Sequence, residues 1–111
     1  MAEEDVSYLQ EISDHIHILE SFMVGVAKED FLNDVEKQFA VARAFEIIGE
    51  ASSKLSEQFR GAHAEIDWRG LKAMRNLLIH EYAYVDADEV WKAWEEDIQG
   101  LKQHVEKFLQ S

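Results

Sequence analysis

The 111-residue chain is expected to form one domain, residues 1–111, large enough to bury a single core. It is 47% hydrophobic and 31% charged, as water-soluble folds are, and it has no cysteine, which excludes disulfides and thiolate metal sites. Its formal charge of −12 exceeds in magnitude the ~2–8 of a typical small domain, so bulk attraction to nucleic acid or anionic membrane is excluded and any such contact must be local or helped by a partner.

There is no proline and there are only five glycines, so few residues break helices. Met1 to Asp5 is acidic and lacks a basic, then apolar, leader, so no signal peptide is expected. No apolar run approaches the ~20 residues of a membrane span. The expectation is a cytoplasmic protein with no membrane partner.

The first helix is predicted over residues 4–27. Val6, Leu9, Ile12, Ile16, Leu19, Met23 and Val26 step by three or four and make one face. His15 and His17 flank it, and such histidines are more often hydrogen-bonded structural residues than ligands. Asp14-x-x-His17 has a chelating spacing, but no Glu-x-x-His pair exists to complete a carboxylate-bridged metal site. No metal is assigned.

Residues 28–33 form a polar joint around an apolar Phe31. Asn33 and Glu36 have the form of a capping box for a second helix running to about Arg60. Its stripe is Val41, Phe45, Ile48, Leu55 and Phe59, and Gly49 and Ala51 permit a neighbouring helix to come close. Glu46 and Glu50, one turn apart, are either an acid/base pair or solvated helix surface.

Gly61 to Glu65 is a loop, and Asp67 is the N-cap of a third helix that ends near Tyr82 to Val85. Leu71, Met74 and Leu78 give its buried face. Asp86 and Glu89 cap a fourth helix reaching about Leu109, with Val90, Trp94, Ile98, Leu101, Val105 and Phe108 as its stripe and Trp91 beside it. The fold class is therefore all-α, an antiparallel four-helix up-and-down bundle with room for a short extra helical turn and for a dimer face.

One stretch stands apart. Trp68 to His80 is the longest run without Asp or Glu, and it carries Arg69, Lys72 and Arg75. Arg75, Asn76, His80 and Tyr82 crowd into eight positions at its end. Arginine offers a permanent fork for phosphate, and histidine moves protons near neutral pH. Together they are a minimal set for cleaving RNA without a metal: His80 working on the 2′-OH or the leaving 5′-oxygen, Arg75 on the developing charge. The structural alternative pairs Arg75 with a carboxylate, sets His80 at the helix end and packs Tyr82.

At ~100° per residue, His80 lies roughly 140° round the helix from Arg75. Either the helix distorts near His80, or a second copy completes the site across a two-fold axis.

Arg75-x-x-x-x-His80-x-Tyr82, with Asn76 after the arginine, resembles the R-x-x-x-x-H-x-Y motif of the HEPN superfamily in its HepT-like branch. Phe45 to Ala51 is similar to that branch's "IIGEA" segment. Ile66-Asp67-Trp68 to Met74 resembles its "I-P-W…M-R-N" lead-in, with Asp67 in place of proline, and Val85-Asp86 with Val90-Trp91 resembles its "V-D…V-W" segment. The resemblance covers roughly residues 30–110. It implies a homodimer whose two motifs meet at an interface cleft, acting as the ribonuclease toxin of a toxin–antitoxin pair without metal or cofactor. Arg75 and His80 would be catalytic, with Asn76 supporting them. The partner would be a minimal (MNT-type) nucleotidyltransferase antitoxin that transfers AMP to Tyr82 in some such pairs. Adenylate there would fill the cleft and add negative charge where RNA phosphate must sit. The rival reading is a non-catalytic module that binds a nucleotide, or serves as subunit or AMP acceptor of a nucleotidyltransferase.

Overall fold

Leu9, Ile12, Ile16, Leu19 and Met23 are buried along one side of α1 (Glu3–Met23), as their spacing requires. The computed structural model describes residues 2–80 and 86–110. The other helices among them are α2 (Lys28–Leu32), α3 (Val35–Lys54), α4 (Glu57–Ala62), α5 (Trp68–His80), α6 (Ala87–Glu96) and α7 (Ile98–Leu109), and no strand occurs among the described residues. The expected bundle is present: α1, α3 and α5 are three long rods and α6 with α7 makes the fourth. The centre is α3, which packs on α1 on one side and α5 on the other, while α7 closes against α1.

The joints differ from expectation in instructive ways. The first helix stops at Met23, because Gly25 sits at φ +71°, a left-handed conformation that favours glycine and ends helices. Val26 therefore lies beyond the helix, half-buried against the core. Val6 is 40% exposed, while Asp5 beside it is buried. The joint at 28–33 is itself a helical turn, with Phe31 fully buried. Asn33 is spent on that turn, its Nδ2 donating to the Glu29 carbonyl at 2.9 Å. Asp34, one residue later, is the true N-cap of α3 and accepts from the Lys37 N–H at 3.0 Å.

The second helix ends at Lys54 rather than Arg60. Leu55 is extended, and the Ser56 hydroxyl caps the separate turn α4 by accepting from the Phe59 N–H. The buried Asp5 carboxylate fixes this break: Ser56 donates to it from both its N–H and its Oγ, each at 2.8 Å. Asp67 and Asp86 cap α5 and α6 as expected, accepting from the Gly70 and Glu89 N–H groups. The fourth rod is interrupted at Asp97. Phe31 meets Trp91 at 5.7 Å between ring centres, and Phe59 meets Phe108 edge-on at 5.3 Å, so these aromatics serve the core.

Candidate functional site

A close approach of two helices sits under Arg75. A Cβ on Gly49 would stand 2.6 Å from the Arg75 Cβ and 2.9 Å from the Leu71 carbonyl oxygen, so only glycine lets α3 and α5 meet this tightly. The expected close approach at Gly49 is thus made by α5. The arginine side chain, 18% exposed, lies in the crease between the two helices.

Its guanidinium is held on three sides. Nη1 donates to Glu50 Oε2 at 2.8 Å and to Ser53 Oγ at 3.3 Å. Nη2 and Nε both donate to Asn76 Oδ1, at 2.8 and 3.2 Å. Asn76 therefore orients the arginine beside it. Glu50 also lies 4.0 Å from Lys54, whereas Glu46 pairs with Arg43 at 3.0 Å. Glu46 and Glu50 thus serve different cations and do not act as a carboxylate pair.

The backbone of α5 runs as a helix from Trp68 through His80 without interruption. His80 is its last residue; the His80 side chain and all of Tyr82 lie outside the described residues. Within Trp68–His80 the helix shows no break, so the roughly 140° divergence holds over that span, and the chain just after His80 lies outside the described residues. Arg69 and Lys72, earlier on α5, are exposed.

Away from this crease, Asp14 accepts from Gln10 and His17 faces Glu106 at 3.5 Å, so the Asp14-x-x-His17 spacing is used in separate contacts. Among the described residues, no group of three or more His, Asp or Glu is placed to hold a metal ion.

A hollow of about 220 Å³ opens near the start of α5, floored by Phe45, Leu71, Met74 and Leu101. Its rim carries Glu65, Asp67, Glu96, Asp97 and His104. Loss of water, then the Glu96 and Asp67 carboxylates, raise the Asp97 pKa above the usual carboxylate value, with Lys92 offsetting part. So negative a rim is unsuited to RNA, and the cationic crease is the better candidate for an anionic ligand.

The Ribonuclease HepT-like family model matches residues 12–108. The chain belongs to the HepT-like ribonuclease family. It is 46% identical over 101 residues to a Thermococcus cleftensis protein named "Probable ribonuclease HepT", covering 91% of this chain and 92% of that one. It is 34% identical over 107 residues to "Putative RNase MJ1380" of Methanocaldococcus jannaschii, covering 96% and 98% of the two chains. A like-named protein of Caldanaerobacter subterraneus is 35% identical over 103 residues, 93% of this chain and 92% of that one. No solved structure matched the chain. Membership in the HepT-like family agrees with the resemblance read from the motif and its flanking segments. What the sequence reading missed within the HepT-like fold is the seat of Arg75. The "IIGEA" segment places Gly49 and Glu50 side by side, but their joint grip on α5 appears only when the helices pack.

Proposed function

We propose that this chain is the toxin of a toxin–antitoxin system: a metal-independent endoribonuclease whose site is shared by two copies. The observation that carries this reading is the match to the HepT-like ribonuclease family over residues 12–108, in a chain whose motif arginine, Arg75, is more than four-fifths covered in the α3–α5 crease and oriented by Asn76. An unbroken α5 supports the shared site, since Arg75 and His80 of one straight helix diverge. Val35 and Phe39, one turn apart and left exposed on α3, the helix that carries Glu50, supply a face for the second copy.

In the reaction, His80 takes the proton of the RNA 2′-OH as its oxygen attacks the phosphorus, or delivers a proton to the departing 5′-oxygen. The bond to the 5′-oxygen breaks, leaving a 2′,3′-cyclic phosphate and a free 5′-OH. Arg75 stabilises the extra charge on the phosphoryl oxygens, and Asn76 keeps the guanidinium oriented. Neutralisation falls to a minimal nucleotidyltransferase antitoxin, with Tyr82 as the residue that accepts AMP. The bulk and negative charge of an adenylate at Tyr82 would oppose RNA phosphate in the same cleft.

Incubation of purified protein with RNA in EDTA, wild type beside His80→Ala, tests the enzyme. Wild type cuts and the variant does not. Equal cutting by both, or none by either, would sink the mechanism and favour the binding-module reading. The mass of the protein co-expressed with a nucleotidyltransferase tests the switch: one added adenylate, mapped to Tyr82, is expected, and an unmodified Tyr82 in a neutralised complex contradicts it.

A further inference from the structure

An arginine carries five N–H donors, and phosphate is gripped best by a fork of two parallel ones. In this structure Nη1 is committed to Glu50 and Ser53, while Nε and one N–H of Nη2 are committed to Asn76. A single N–H on Nη2 is left over, which is too few for a fork. One contact must open before a phosphate can be gripped by a fork, and the three are not equivalent.

Asn76 neighbours Arg75 on α5 and moves with it. Ser53 is neutral and more distant, at 3.3 Å. Glu50 comes from another helix, carries the charge that competes directly with phosphate, and is 48% exposed. It also has a second cation within reach, Lys54 at 4.0 Å, to receive its carboxylate once Arg75 is released. The Arg75 backbone cannot retreat, because Gly49 locks α5 against α3 at that residue.

We infer that Glu50 is a positioning residue that occupies Arg75 in the substrate-free protein and yields Nη1 to an RNA phosphate. The inference rests on the ribonuclease reading for its ligand, single-stranded RNA. The exchange is one of ion pairs at a fixed backbone: carboxylate leaves Nη1, phosphate takes its place, and Asn76 keeps its hold on Nη2 and Nε.

The test is binding of a fluorescent single-stranded 2′-O-methyl oligoribonucleotide, which lacks the attacking hydroxyl and stays intact. Anisotropy titrations compare wild type, Glu50→Gln, Arg75→Ala and the double variant, with thermal melts confirming that each is folded. Glu50→Gln is expected to bind about two- to five-fold tighter, the scale of an exposed ion pair. The gain disappears when Arg75 is absent, a non-additivity that a general change of charge does not produce. Glu46→Gln removes the same charge one turn earlier and leaves affinity unchanged. Equal tightening in the Arg75→Ala background, equal tightening by Glu46→Gln, or no tightening by Glu50→Gln overturns the inference. Cleavage of ordinary RNA by wild type, followed alongside, judges the ribonuclease reading separately. A protein that shows the Glu50 effect on binding but never cuts keeps the latch and loses the enzyme.

Discussion

Gly49 and Arg75 touch across two helices so closely that a methyl group on residue 49 would lie 2.6 Å from the Arg75 Cβ. The other obstacle, the Leu71 carbonyl at 2.9 Å, is backbone and cannot rotate aside. Gly49→Ala should therefore push α5 away from α3. Alanine is the better helix former by about 1 kcal/mol, but overpacking at a helix crossing costs about 1–3 kcal/mol. The expected outcome is a lower denaturation midpoint together with weakened RNA cleavage. A stabilised Gly49→Ala protein would show that the helices separate freely at this point.

Asp5 ties the start of α1 to the start of α4. It is 4% exposed and accepts two hydrogen bonds from Ser56. Truncating it strands the Ser56 N–H and hydroxyl, and hydrogen bonds to charged groups contribute about 1.5–3 kcal/mol. Asp5→Ala should lose stability on that scale in urea denaturation. A loss below about 0.5 kcal/mol would mean that water replaces the carboxylate at no cost.

Asp97 gives a pH dependence of known sign. Its pKa is raised in the folded protein, first by loss of water and then by Glu96 and Asp67. The folded state thus holds this proton more firmly than the unfolded chain, where the pKa is about 3.9. The stability linked to the proton is fully present below that pH and is lost as pH rises through the folded pKa. Asp97→Asn should melt higher than wild type near neutral pH, with the difference closing as the medium is acidified toward pH ~4. A difference that does not change with pH contradicts this origin.

Phe39 is 52% exposed and Val35, one turn earlier on α3, is 62% exposed. If this face meets the second copy, Phe39→Asp buries a charge there and should shift the protein from dimer to monomer in light scattering. Cleavage should fall with it, because each protomer would lose half of its site. A dimer that survives the substitution places the interface elsewhere.

The four rods were legible because their apolar stripes repeat over several turns, and a long repeat outweighs any single residue. Asp67 and Asp86 were legible as caps because capping is local in sequence. The break at Leu55 and Ser56 was not, because it depends on Asp5, 51 residues away, and a carboxylate beside an apolar stripe reads as surface. The same holds at the site. Arg75 and Asn76 could be picked out by type and spacing, but the Glu50–Arg75 pair joins residues 25 apart on different helices. The capping slip at Asn33 has a smaller cause: two adjacent residues could each cap a helix, and the turn at α2 claims the first.

The shared Arg75–His80 site is tested most directly by complementation. Arg75→Ala and His80→Ala chains are purified separately, then unfolded and refolded together, and RNA cleavage is followed in EDTA. Each variant alone should be inactive. In a mixed dimer, the intact Arg75 of one chain and the intact His80 of the other restore one site of two. With half of the dimers mixed, activity should return to about a quarter of wild type. A mixture as inactive as its parts would contradict a site built from two copies.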